Sequence, residues 1–595
     1  MASCPQRTKW GAMYDLIISG GTVVDGTGAE RRVTDVGIIG ESIATVGDLS
    51  GAEASRRIDA TGLLVTPGWV DIHTHYDGQV TWDQELAPTA WHGVTTIVTG
   101  NCGVGFAPAH PDKHDWLIGL MEGVEDIPGT ALAEGITWDW ETFPEYLDAL
   151  EPRRWPMDVG TQISHGAVRA YVMGDRGARN EPATADDIAA MSAIVKEAIA
   201  AGALGFSTSR TLAHRAIDGE PVPGTFAADD ELFGIGAALG ELGAGVFELA
   251  PAGTAGDDMV AAAKEMDWMR KLSATIKRPV SFALLQVDPA PEHWREMMDA
   301  SLDAVAEGAD LWPQVAGRPT GVLTGHHVTY CLFDQIPAYA ELKSRGLTPT
   351  ELYEVLLDPT VREEIVSFEP DDPEVAAAFA GAFAKTFILG DPPDYEPGPE
   401  RSLEGMAAST GERPLSIAYD AMLEDRGWGL LYIPILNYSD GDLEPTLAML
   451  QHPRAAIGLA DGGAHVGTIC DASMPTFMLT HWVRDRRRGE RLPLELIVSK
   501  QTRETARLYG LEDRGVLAEG MLADLNIIDF DALAIEPPVV VEDLPAGGRR
   551  LVQRSRGYVA TIKRGEVTYA DGAATGALPG RLLRGAATRP AAVLA

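Results

Sequence analysis

The spacing of apolar positions changes along the chain. From Tyr14 to Gly68 the apolar runs are short and separated by Gly-rich turns: YDLIISGGTVVDG, DVGIIGESIATVG, RRIDA and GLLVTPG. This texture predicts β-strands. It returns near the other end in GMLADLNIIDF (520–530) and GYVATIKRGEVTYADG (557–572), where Gly-Glu marks a hairpin turn. Two β-rich ends around a different middle predict one small β-sandwich, from residues 13–68 with 511–575. Residues 1–12 read as an N-terminal extension and 576–595 as a C-terminal tail.

Between these ends, over 69–510, strand-like and helix-like segments alternate. Strand candidates are GWVDIHTH, VTTIVTGNC, MDVGTQISH, ALGFSTS, AGVFELA, PVSFALLQ, ADLWPQVAG, LLYIPILN and AAIGLADGG. Several are apolar on both faces, as parallel strands covered by helices should be. TADDIAAMSAIVKEAIAAG (184–202) has a Thr cap, an acidic first turn and a closing Gly, and EHWREMMDASLDAVAEG (292–308) has the same grammar. The alternation predicts an α/β fold, a (β/α)8 TIM-like barrel or a large doubly wound sheet. Residues 325–427 break the rhythm with helices and the acidic, proline-rich runs FEPDDPE and GDPPDYEPGPE. That is too long for a plain connection, so an inserted lid subdomain is expected there.

Composition narrows the function classes. The 595 residues are 45% hydrophobic and 23% charged, as in a soluble globular protein. Net charge is −39, which argues against nucleic acid, because phosphate binding needs clustered cations. The dense basic run RDRRRGER (484–491) reads as a solvated helix end or loop. No stretch approaches the roughly 20 apolar residues of a membrane span, and MASCPQRTKWGAM lacks the apolar core of a secretory signal. Cys4, Cys102, Cys331 and Cys470 are far apart and form no CxxC pair, which points to a reducing, cytoplasmic setting. A homo-oligomer is left open.

Three strand ends carry chemistry. In VDIHTH, His73 and His75 are two apart, so an extended chain aims both imidazoles at one point, and a parallel barrel builds its sites at such ends. Cys102 follows the next strand candidate in VTTIVTGNCGVGF, and a thiolate is a good Zn²⁺ ligand. Asp461 ends AAIGLAD, where it can ligate metal and serve as general base. His465, four residues on, can ligate, orient substrate or pack.

VTPGWVDIHTHYDGQ, GVTTIVTGNCGVGFAP, ISHGAVR, EAIAAGALGFSTS, HPRAAIGLADGGAH and TRETARLYGLEDRGVLAEGMLADLNIID resemble D-aminoacylases. These are N-acyl-D-amino-acid deacylases of the metal-dependent amidohydrolase superfamily, and the resemblance runs over roughly 13 to 575. It implies a (β/α)8 barrel, a β-sandwich from both termini, a long insertion at the barrel mouth and zinc at the strand ends. It also implies that His73, His75, Cys102 and Asp461 are metal ligands.

The resemblance fails in one place. D-aminoacylases carry a His after the fifth strand and another after the sixth, in an SHHK-like run. The matching stretches here, AGVFELAPAG and PVSFALLQVDP, contain none; Glu248 takes the first position, and Gln286 or nothing takes the second. Three arrangements follow: a single zinc on His73, His75 and Asp461 with Cys102 nearby or bound; a second ion held by Glu248; or a degenerate site. One firmly bound zinc with a weaker or absent second is favoured. The family's lysine, which helps hold a substrate carboxylate, is also missing. Arg210 and His214 in STSRTLAHR, or Arg318 in VAGRPTG, are the cationic substitutes, because an arginine fork suits a carboxylate. His165 ends ISH and is a candidate substrate contact, and at most one of His326 and His327 should face the site.

The expectation is a zinc-dependent hydrolase of a C–N amide bond in a small substrate, foremost an N-acyl amino acid. Asp461 would be the base. The alternatives are hydrolysis of a cyclic amide, lactone, carbamate or aryl-amide xenobiotic and, more remotely, a catalytically inactive binding protein.

Overall fold

The computed structural model describes residues 13–585. The proposed N-terminal extension, with Cys4, and the end of the proposed tail lie outside them. The fold is mixed α/β.

Both ends of the chain contribute to one nine-stranded sheet. Strand Leu64–Pro67 lies between Tyr14–Val23, to which it is parallel, and Leu525–Ile528, to which it is antiparallel. Ile18, Val36, Ile38, Val65, Leu525, Ile527 and Ile562 fill a core of their own beneath it. The hairpin expected at 557–572 forms with Lys563 opposite Glu566. Its turn is Arg564-Gly565, both with positive φ, one residue earlier than the Gly-Glu reading. Residues 580–583, expected as tail, bridge to Trp155 and Val159 beside the strand Asp158–Thr161.

The middle carries two parallel sheets. One pairs Trp69–Asp71, Val94–Thr99 and Asp158–Thr161. The other runs in sequence order through Ile163–Ser164, Gly205–Ser209, Val246–Ala250, Val280–Leu284, Leu311–Val315 and Ala456–Ile457. Buried side chains line both faces of these strands, which explains their near-continuous apolar runs. The helix read at 184–202 spans Ala185–Ala201, with the Thr184 hydroxyl and the Asp187 carboxylate forming a reciprocal cap and Gly202 ending it.

One strand candidate is elsewhere. LLYIPILN was expected in the parallel series, but Leu431–Leu436 pairs antiparallel with Thr320–Thr324 and with Phe387–Ile388. Those strands frame the segment read as a lid. Its helices enclose a separate core of Phe333, Ile336, Tyr339, Leu356, Tyr419 and Met422. The segment is tied to the chain just past His465, because Leu323 N–H donates to the Thr468 carbonyl and Thr329 N–H to that of Gly467.

Candidate metal centre

Trp69–Asp71 ends two residues before His73, so the HTH motif lies just past its strand. The backbone still holds it extended. His75 N–H donates to the Gly462 carbonyl and Asp461 N–H to that of His73, and Thr74 and Gly462 form a parallel bridge. This zips the histidine pair to the aspartate across nearly 400 residues of sequence. Gly463 makes the approach possible. Its φ is +90°, and a Cβ there would lie 3.0 Å from the His75 backbone.

Cys102 reaches the same point from the loop after Val94–Thr99. Gly103, at φ +71°, follows it so closely against Gly205–Ser209 that a Cβ would fall 2.7 Å from Ser209 N. The nearest ligand atoms of His73, His75 and Cys102 all lie within 4.8 Å of one another, and all three residues are buried. Cys102 Sγ is 3.3 Å from His73 Nε2. Asp461 Oδ1 is 3.4 Å from His73 Nε2 and 3.9 Å from His75 Nε2. Glu248 is fully buried: Oε2 accepts from Cys102 N–H at 3.0 Å, and Oε1 lies 3.9 Å from His73 Nδ1.

The electrostatics are those of charged groups held out of water. Burial pushes Glu248 up to about 8 and Asp461 up to about 7, with His465 partly offsetting the latter. Burial lowers His73 to about 4 and takes His75 well below its ordinary value. Cys102 is raised by burial and by the carboxylates of Glu248, Glu125 and Asp461.

The residues present fit a divalent ion. Glu248 Oε1 and Asp461 Oδ1 are buried with no hydrogen-bond partner. Two imidazoles, a thiol and a carboxylate are the donor types zinc takes. His73 Nδ1 lies 2.8 Å from Gln314 Oε1, and because an amide oxygen only accepts, Nδ1 carries the proton and Nε2 keeps its lone pair towards the cluster.

The other expected residues divide. His214 lies by the cluster, its Nδ1 3.0 Å from Ser209 Oγ, and burial lowers it to about 4. His465 stands at the edge, with its side chain 25% exposed. His165 has both ring nitrogens engaged, by Thr208 and Glu231 at 2.9 Å each. Arg210 pairs with the buried Glu265 at 2.9 Å and donates to the Ala227 carbonyl. Arg318, expected at the mouth, is sealed: it binds Asp471 at 2.7 Å, Ser473 and the Cys470 carbonyl and lies over Tyr395. These three have structural partners in place of a free fork or ring for substrate. Gln286 is likewise buried and donates to Asp440. His326 is buried against Tyr339, and His327 lies against Trp428.

Two residues of the centre escaped sequence reasoning. Gln314 is a lone polar side chain on the apolar strand LWPQV, the one signal that could have found it. Glu125 ends helix His114–Glu125 beside Val124 on its buried face, an acid where the apolar pattern calls for none.

A model of the Amidohydrolase family matches residues 56–569. The chain belongs to the amidohydrolase family. This amidohydrolase is 28% identical to a D-aminoacylase of Alcaligenes xylosoxydans xylosoxydans over 96% of its own length and 97% of the relative's. It is 29% identical to an N-acyl-D-glutamate deacylase of the same organism, over 87% and 88%. A solved D-aminoacylase, studied for its binuclear metal centre with one-metal activation and second-metal attenuation, matches with TM-score 0.63 and 25% identity over 96% and 100% of the chains. As an amidohydrolase with D-aminoacylase relatives, the protein is a hydrolase acting on carbon–nitrogen bonds other than peptide bonds. No helix among the described residues is long and apolar enough to cross a membrane.

Proposed function

We propose that this amidohydrolase is a zinc-dependent deacylase of N-acyl amino acids. The observation that carries the reading is the convergence of His73, His75 and Cys102, with Asp461 Oδ1 against both imidazoles. These four residues would hold the ion, and Glu248 stands ready for a weaker second one. Zinc, when bound, would polarise the scissile carbonyl and lower the pKa of water towards about 7. Asp461 takes a proton from the attacking water at Oδ1 and returns it to the leaving nitrogen. His465 and His214, at the edge of the cluster, orient the substrate. The depth of the cluster keeps bulk water from the reacting atoms.

We propose that the parallel strands close into a (β/α)8 barrel. In its favour, the two parallel sheets meet where Gln162 interrupts one strand, and the Thr74–Gly462 bridge joins the first strand to the segment after the last. The sandwich of 13–68 with 511–575 and a lid over 325–427 complete the proposed division, in a cytoplasmic protein.

A panel of N-acyl-D- and N-acyl-L-amino acids, hydantoins, lactones and aryl amides tests the substrate class. Hydrolysis of at least one N-acyl amino acid, lost on chelation and restored by zinc, is expected. Turnover confined to the other classes would overturn the deacylase reading.

A further inference from the structure

Glu125 has no role in the reaction described above. Its carboxyl is 1% exposed, and two imidazoles lie within 4 Å of its oxygens. Oε1 lies 3.2 Å from His75 Nδ1, close but not aligned as a hydrogen bond, and both atoms are otherwise unpartnered and buried. Oε2 lies 3.6 Å from His465 Nε2. The Glu125 main chain reinforces the contact, because its carbonyl accepts the N–H of His465. A carboxylate buried without Arg or Lys is costly unless a nearby group compensates it.

The two histidines of the HTH motif thus have different outer partners. A neutral amide, Gln314, lies 2.8 Å from Nδ1 of His73, with the Glu248 carboxylate farther off at 3.9 Å, whereas the Glu125 carboxylate lies 3.2 Å from Nδ1 of His75. We propose that Glu125 is a positioning residue for the metal centre. It accepts the Nδ1 proton of His75, which leaves Nε2 free for the ion, and its second oxygen fixes the ring of His465 at the edge of the site. A carboxylate behind an imidazole also raises that ligand's basicity. This inference rests on the reading of His75 as a metal ligand.

Zinc affinity, measured by competition with a chromophoric chelator on the full-length protein, tests it with Glu125→Gln and Glu125→Ala. The expected losses are about 10-fold for the amide, which can still accept from Nδ1, and up to about 100-fold for alanine. Thermal unfolding of the metal-free proteins supplies the control. Glu125→Gln should melt no lower than wild type, because it removes an unpaired buried carboxyl. Wild-type zinc affinity in the Gln variant overturns the proposal, and so does a loss of affinity matched by an equal loss of metal-free stability. If wild type binds no zinc, the metal-site reading fails and the positioning role falls with it. If wild type binds zinc and both variants equal it, the role of Glu125 alone is wrong.

Discussion

Cys102, Asp461 and His465 have φ of 54°, 46° and 49°, in the left-handed region that L-residues other than Asn and Asp rarely visit. Such conformations persist where the surroundings fix them, and they gather at functional sites. The backbone at Asp461 also makes one substitution informative. Asn tolerates this region as well as Asp, so Asp461→Asn should keep the thermal stability of the fold while lowering kcat by roughly 10²- to 10⁴-fold, the range of a general base. A rate within a few-fold of wild type would remove Asp461 from that role. Cys102→Ala should weaken zinc binding, read as metal per chain after dialysis; unchanged retention would make the thiol a bystander. That His73, His75, Cys102 and Asp461 come together was legible in the sequence because each ends an apolar run, where polar side chains are conspicuous. Glu125 and Gln314 were not, because their meaning depends on which imidazole the fold brings to them. Arg318 misled for the complementary reason: its partner Asp471 is more than 150 residues away and invisible to local spacing.

At the scale of elements, the parallel strands and the capped helix Ala185–Ala201 followed from periodicity, whereas LLYIPILN did not. Its run of apolar residues is equally good for a parallel strand and for the middle of the small antiparallel sheet it joins, and periodicity cannot separate them. The proline-rich part of the inserted segment is pinned by a buried carboxylate. Glu396 binds Arg486 at 3.0 and 3.1 Å and lies 3.0 Å from His481. Burial would raise its pKa, but these two partners hold it down to about 2. A folded value below the unfolded value of about 4.3 contributes stability that is present above that pH and is lost as pH falls towards 2. Glu396→Gln should therefore lower the denaturation midpoint at pH 7, with the gap narrowing between pH 5 and pH 3. A gap independent of pH would show that the charge is not what matters.

At the scale of the molecule, the terminal sheet is locked to the parallel strands by charge. Asp158, on the strand after Val94–Thr99, is fully buried and meets Lys563 at 2.8 Å, Arg514 at 2.7 Å and Arg564 at 2.9 Å. Burial opposes its ionisation, but the three cations hold its pKa well below the ordinary range. Asp158→Ala would remove the buried carboxylate the three cations share, leaving Lys563 to Asp524, Arg514 to Asp513 and Arg564 to Glu41. A loss of about 3–5 kcal/mol in denaturant unfolding is expected, as for a broken buried ion pair. A loss under about 1 kcal/mol, the value of a surface pair, would contradict this. That both ends of the chain are strand-rich and come together was legible from their shared texture, though the expectation was a sandwich and the strands lie in one sheet; the ion pairs that join it to the middle were not, since charges are scattered through both regions.

We propose that His73, His75, Cys102 and Asp461 form a working zinc site. Metal content per chain, followed together with hydrolysis of N-acyl-D-amino acids, tests it most directly. A single tightly held zinc, loss of activity when it is stripped, and recovery on returning one equivalent are expected. Hydrolysis that survives complete removal of metal would contradict it.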